Sequence, residues 1–264
     1  MDFKNKTIWI TGAASGMGKS VALEIARHGS RLIISDRDEA GLIATAKDIK
    51  DAGATCRIEV LDMTDNAGIF NTAAKVLGDG EIIHGLYQFA GISQRSLAVE
   101  TPLENDRLIM EINFFGVISL VKAVLPSMIK NGGGQLAVAS SMVGKFGFPY
   151  RSAYSASKHA LHGFFETLLA ENSKHNIRVS MLIGGRIRTN ISKFAIDKSG
   201  KEHGKMDAGQ ANGISPGKAA KQIYHGLKRE KKEILVGGKE LLMVYIRKYI
   251  PALYYKLATK INPL

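Results

Sequence analysis

Short apolar runs alternate with longer amphipathic stretches along this chain, and that alternation predicts an α/β fold. Strand-like runs occupy 7–11, 31–35, 55–61, 85–89, 135–139, 178–183 and 233–236. Each is too short for a helix and rich in the β-branched and aromatic residues that suit a buried strand. Between them lie stretches with helical spacing, the longest at 104–130 and 153–175. Pro126 should bend or end the first of these. Strand–helix alternation of this kind builds a doubly wound, seven-stranded parallel sheet with helices on both faces, here as one domain. At 264 residues the chain is long enough for one large core and needs no second domain.

The first strand leads into a turn with a specific pattern. Thr7-Ile-Trp-Ile-Thr11 is followed at once by Gly12-Ala-Ala-Ser15-Gly16-Met17-Gly18, then by helically spaced Val21 and Ile25. Glycines in a strand–turn–helix setting allow a tight turn and let the backbone approach a pyrophosphate. That group then rests on the positive helix N-terminus. A generic Gly-rich turn is the bland alternative, and the context argues against it.

A second pattern carries acid–base chemistry. Ser141, Tyr154 and Lys158 lie in SSMVGKFGFPYRSAYSASK. The Tyr-x-x-x-Lys pair shares one helix face. An ammonium about 4–6 Å away lowers a phenol pKa from its usual ~10 by roughly one to three units, which makes Tyr154 a proton donor and acceptor near neutral pH. Taken alone, the pair is better explained as a helix tyrosine burying its ring.

Together these residues resemble the short-chain dehydrogenase/reductase family, over residues 4–235, and most closely its 11β-hydroxysteroid dehydrogenase-like subgroup with membrane-associated relatives. The glycine turn, with Ser15 and Met17, matches the family's cofactor turn, and the fold implied is the Rossmann type. Asp62, followed by Met63, matches the acid that touches adenine. Ala90 and Gly91 match half of an Asn-Asn-Ala-Gly signature. Asn113, Ser141, Tyr154 and Lys158 match the catalytic tetrad, and Gly185, Ile187 and Thr189 match the segment that holds the nicotinamide. Tyr154 and Lys158 thereby also count among the cofactor contacts. Two positions depart: Gln88-Phe89 replace the asparagines, and Gly184 replaces a proline, which should loosen the backbone there.

The resemblance implies hydride transfer between a nicotinamide dinucleotide and a carbonyl or secondary alcohol. Ser141 would hydrogen-bond the reacting oxygen, Lys158 would hold the ribose, and Asn113 would support a water-linked proton path. Asp36 closes the second strand where a carboxylate accepts bonds from ribose hydroxyls and repels a 2′-phosphate, favouring NAD. Arg37 beside it leaves NADP open. Met142, Phe146, Phe148 and Tyr150 should line an apolar pocket, pointing to an apolar small-molecule substrate. The competing class is a catalytically silent Rossmann module that binds or regulates. A dehydratase or epimerase of the extended branch is a weaker rival.

Composition adds limits. One cysteine, Cys56, excludes an internal disulfide and a Cys-based metal site. No signal peptide is evident, and no apolar run is expected to reach the length of a membrane span, so a cytoplasmic site is expected. His159 and His162 lie three apart with no third ligand in metal spacing, so no metal is expected. The net charge is +12, yet eleven of the 36 basic residues fall from Lys218 onward, against three glutamates. A basic tail on an enzyme domain suits a surface or partner better than nucleic acid.

Two segments stand apart. Residues 190–213 are polar and glycine-punctuated and read as a mobile substrate lid. The catalytic domain is expected to span 1–239, leaving a basic amphipathic extension at 240–264. There Leu242, Ile246, Ile250, Leu253, Leu257 and Ile261 mark one helical stripe, broken at Pro251. The chain is expected to form a homo-oligomer, a dimer or tetramer, and such a stripe is expected first to pack on its own domain or on a partner subunit; the alternative is peripheral contact with an anionic membrane.

Overall fold

The computed structural model describes residues 1–260. Seven parallel strands form one sheet in the order β3-β2-β1-β4-β5-β6-β7. They are β1 (Thr7–Thr11), β2 (Arg31–Asp36), β3 (Cys56–Val60), β4 (Gly85–Gln88), β5 (Gly134–Ser141), β6 (Ile177–Gly184) and β7 (Glu233–Val236). All seven runs read from the sequence are strands, with no end shifted by more than two residues. The order reverses between β1 and β4, which opens a crevice at the strands' C-terminal ends, where such sheets bind ligands.

Strand alternation divides the core into two layers. Ile8 and Ile10 of β1 point to one side with Leu32 and Ile34 of β2, while Trp9 and Ile33 point to the other. The first side is covered by α1 (Gly16–Ala26), α2 (Glu39–Asp51) and α8 (Pro216–Lys228), through Val21, Ile25, Leu42 and Ile223. The second is covered by α3 (Asn66–Gly78), α5 (Gly116–Lys130) and α6 (Ser152–Glu171), through Val76, Leu120, Val124 and Phe165.

The long helix read at 104–130 is interrupted. It begins as α4 (Leu103–Met110), loosens into a π turn at Glu111–Phe115, and resumes as α5. The Gly116 N–H reaches back to the Glu111 carbonyl, and Asn113 sits inside the turn. Such turns recur at functional sites. Pro126 does not end the helix, which continues to Lys130. This run, Leu103–Lys130, is also long and apolar enough to cross a membrane by length and composition, contrary to the sequence expectation. Here it is a core helix, with half of its most apolar window buried in the fold.

Residues 190–213, the expected lid, pack onto the domain through a few short contacts. Ile196 bridges Gln94 on one side and Glu202 on the other, Ala195 and Ser192 are fully buried, and the short helix α7 (Ala208–Ala211) closes the segment. The C-terminal segment folds as α9 (Leu242–Tyr249) and α10 (Pro251–Ala258), with the break at Pro251. Its anchor is a residue outside the expected stripe. Tyr254 is 4% exposed, tilts against Phe146 at 5.1 Å and donates its hydroxyl hydrogen bond to the Gly147 carbonyl. Leu242, Ile250 and Leu253 of the stripe face outward, and Ile261 lies outside the described residues.

Candidate active site

Two adjoining clefts open at the C-terminal edge of the sheet. The larger, of about 370 Å³, runs over the β1 turn and the ends of β2 and β3. Its walls include Gly12, Ser15, Gly16, Met17, Gly18, Asp36, Arg37, Asp62, Met63, Ala90, Gly91 and Thr189, all of them residues singled out in the sequence. The glycines are there for space. Gly12 has φ +68°, and a Cβ on it would stand 2.6 Å from the Ala90 nitrogen. A Cβ on Gly18 would overlap the Gly12 carbonyl oxygen. Ser15 precedes α1 in extended conformation without bonding the helix end, and the first turn carries no acidic residue. The α1 N-terminus is thus open to an anion.

Asp36 ends β2 with its carboxylate fixed by the Ala14 N–H at 3.2 Å and the Asp38 N–H at 3.2 Å. Asp62 is fixed in the same way by the Thr64 N–H and hydroxyl, each at 2.8 Å. Gln88 shows how the chain replaces an asparagine: its amide donates to the Val117 carbonyl at 2.9 Å, tying β4 to α5. These fixed carboxylates and the glycine cradle fit a dinucleotide.

The smaller cleft, of about 250 Å³, meets the first at Met17, Thr189 and Ile191. Ser141, Tyr154, Gly185 and Ile187 line it. Ser141 ends β5, with its Oγ 3.3 Å from the Gly184 carbonyl and 3.4 Å from the Val143 nitrogen. Lys158 and Asn113 stand behind the walls. Lys158 is buried, donates to the Ala139 carbonyl at 2.7 Å and lies 5.7 Å from the Tyr154 ring centroid. Asn113 uses its side chain as a clamp: Oδ1 accepts from Ile92 N at 2.8 Å, while Nδ2 donates to Ile92 O at 2.9 Å and to Ser157 Oγ at 3.0 Å. A Cβ on Gly91 would come within 3.5 Å of Lys158 Nζ, so the clamped strand end lies against the lysine.

The electrostatics differ from the expectation in one respect. Burial raises the Tyr154 pKa above its ordinary value. The influences that oppose it are the charge of Arg95, a hydrogen bond from Ser141 and the charge of Arg151. The Lys158 ammonium is itself desolvated, which takes its pKa down to about 8. In the cofactor-free fold burial outweighs the lowering influences, and the phenol stays above its ordinary value.

The pocket composition is also corrected. Met142 and Phe148 line the smaller cleft. Phe146 is buried behind it against Tyr254, and Tyr150 turns the chain into α6 with φ +64° instead of facing the cleft. In their place the structure supplies Arg95, Arg151, Arg186 and Asp207. Gly184 is not left loose. Glu240 accepts from the Arg186 N–H at 2.7 Å and the Gly238 N–H at 3.0 Å, so the C-terminal segment braces the loop after β6.

Sequence reasoning missed Gln94 as well. Its Oε1 accepts from the Ala153 N–H at 2.9 Å and the Tyr154 N–H at 3.4 Å, and its amide donates to Thr101 Oγ1 at 2.8 Å. No local signal marks it, because the two helix amides it caps lie 59 and 60 residues away. His162 acquires company the spacing did not show: its ring and the carboxylates of Glu166 and Glu233 offer three ligand atoms within 4.8 Å of one another. Lys145 already pairs with Glu233, and the Ser140 hydroxyl meets His162 Nε2 at 2.9 Å.

The chain belongs to the short-chain dehydrogenase/reductase family, an oxidoreductase family: the model described as "short chain dehydrogenase" matches residues 6–199. Among curated relatives, "Dehydrogenase/reductase SDR family member 7B" of Danio rerio is 35% identical over 263 residues, covering 97% of this chain and 85% of that one. "Dehydrogenase/reductase SDR family protein 7-like" of Drosophila melanogaster is 36% identical over 260 residues, covering 97% and 80%. In fold, the chain matches a Burkholderia phymatum short-chain dehydrogenase/reductase solved in complex with NAD, with TM-score 0.85, 23% identity and coverage of 100% and 98%. A Streptomyces avermitilis short-chain dehydrogenase matches with TM-score 0.80, 26% identity and 96% coverage of both chains.

Proposed function

We propose that this protein catalyses reversible hydride transfer between NAD and a carbonyl or secondary alcohol. The observation that carries this reading is the junction of the two clefts: a dinucleotide-shaped cradle runs directly into a pocket faced by Ser141 and Tyr154. A bound nicotinamide supplies or accepts the hydride; the protein does the rest. Tyr154 donates the proton to the carbonyl oxygen, and Ser141 hydrogen-bonds that oxygen as negative charge develops. Lys158 has one donor on Ala139 and two left for the ribose that would lie over Gly91. Asn113 positions that edge by clamping Ile92.

Asp36 favours NAD over NADP, because a fixed carboxylate accepts from two ribose hydroxyls and repels a 2′-phosphate. Arg37, exposed on the same wall, is the residue that would serve NADP.

A silent binding module is the rival reading, and a substitution separates the two. Tyr154→Phe keeps the ring and removes only the proton donor. Turnover should fall by about two to four orders of magnitude, with NADH affinity nearly intact. A wild-type protein that binds NADH yet reduces no carbonyl in a broad panel would establish the silent module instead.

The outer face of α9 and α10 favours peripheral membrane contact. Tyr245, Tyr249, Ile250, Leu253 and Tyr255 are exposed together, with Lys248 and Lys256 among them. Exposed aromatic, aliphatic and basic side chains gathered in one short segment suit an anionic lipid surface. A contact with a second subunit is the competing reading, and the exposed Lys248 and Lys256 are what favour an anionic lipid surface over it. A cytoplasmic enzyme resting on membrane is the reading adopted.

A further inference from the structure

The smaller cleft holds three arginines and one carboxylate, all of them lining the space beside Tyr154. Asp207 sits at the entry to α7 and is shared. Its Oδ2 accepts from Arg95 Nη2 at 2.6 Å and from Arg151 Nη2 at 3.0 Å. Arg95 is satisfied: it also donates to the Ser93 hydroxyl at 2.8 Å and the Gln94 carbonyl at 2.6 Å. Arg151 is not. Among the described residues, beyond its share of Asp207 it has only the Pro149 carbonyl at 3.3 Å, and it lies 5.0 Å over the Phe148 ring.

The side chains of Arg95, Arg151 and Asp207 are 3%, 12% and 5% exposed. Two desolvated guanidiniums therefore share one counter-charge. Burying a charge without full compensation is costly, and structures pair such groups or reserve them for a ligand. The Arg151 pKa is pushed down to about 10, by burial first and then by Arg95, as expected for a cation short of a partner. Arg186 adds a further positive charge at the exposed rim, while Met142 and Phe148 keep part of the wall apolar. A planar guanidinium with free donors matches a carboxylate or phosphate in two-point contact.

We infer that the substrate of this site carries an anionic group, a carboxylate or a phosphate ester, which seats on Arg151 and Arg186 beside the reacting carbonyl. The inference rests on the proposed function for the carbonyl and on the arginine cluster for the anion. Asp207 is then a positioning residue, which holds Arg151 against Arg95 and ties the 190–213 segment to the pocket.

Two measurements on the full-length protein test it. The first is direct binding to the protein–NADH complex, by calorimetry, of hexanoate, hexyl phosphate and neutral hexan-1-ol. At least one anion should bind tenfold or more tightly than the alcohol, and which of the two does so identifies the anion. Arg151→Gln should lose tenfold or more of that affinity. Arg186→Gln, at an exposed position, should lose severalfold and serves if Arg151→Gln does not fold. The second is turnover of oxo acids and ketone phosphates against their neutral ester or alcohol counterparts, read as a ratio of kcat/KM.

The charged member should lead by tenfold or more in the wild type. The ratio should collapse toward one in Arg151→Gln, chiefly through KM, and be partly kept by Arg151→Lys. Equal binding of the anions and hexan-1-ol overturns the inference, as does a charge preference indifferent to both arginines. Anion binding without turnover of any carbonyl would instead defeat the proposed function and leave the anion site standing. Turnover without charge preference would do the reverse.

Discussion

Lys158 donates its hydrogen bond to the Ala139 carbonyl at 2.7 Å, from a fully enclosed position behind the pocket wall. The ammonium has no carboxylate beside it among the described residues' ion pairs, and burial takes its pKa from 10.5 to about 8. The unfolded chain therefore binds the proton more tightly than the folded one. Stability should rise as pH climbs from about 8 to 10.5 and be reduced below that window, by an amount on the order of 3 kcal/mol at pH 7. Lys158→Met, which removes the buried charge, should raise the melting temperature of the cofactor-free protein at pH 7 while abolishing turnover. The gap between variant and wild type should close toward pH 10.5. A variant less stable at pH 7 would mean that the ammonium is compensated in the fold.

Asp36 controls cofactor choice in this reading. Asp36→Ala should weaken NAD binding by about tenfold, the value of a lost charge-assisted bond pair, and improve NADP binding because Arg37 remains. Fluorescence titration with both cofactors reads the outcome. A wild-type preference for NADP of tenfold or more would make Arg37 the dominant residue.

Gln94 caps the helix that carries the proposed acid. Gln94→Ala leaves the Ala153 and Tyr154 amides without an acceptor inside the protein, at a cost of about 2–4 kcal/mol. Urea denaturation should show that loss, and kcat should fall with it. Gln94→Glu keeps an acceptor at a helix N-terminus and should lose less. A cost below about 0.5 kcal/mol for the alanine variant would show that water replaces the cap.

The C-terminal face can be tested without removing Glu240 or Tyr254, which brace the domain. Tyr249→Ser combined with Ile250→Ser alters only exposed positions. The intact protein should sediment with anionic vesicles in a salt-sensitive manner, and the double variant should not. Sedimentation unaffected by the double variant, or a shift in subunit mass in its place, would assign the face to another subunit.

Much of this protein is legible in its residues alone. Short apolar runs, the glycine turn and the Tyr154–Lys158 spacing are local. Backbone sterics and residue spacing determine them within a few neighbours: Gly12 needs its left-handed backbone wherever the rest of the chain goes. The seven strands and the cofactor cradle follow from that.

What the tertiary structure alone decided is polar and distant. Arg95 meets Asp207 across 112 positions, and Glu240 meets Arg186 across 54. Such pairs have no period to read, because they depend on where two loops end after the sheet has formed. The Tyr154 pKa belongs to the same class. Spacing placed an ammonium near the phenol, but burial and the charges of Arg95 and Arg151 act on its acidity, and these exist only once the core and the 190–213 segment have packed around it.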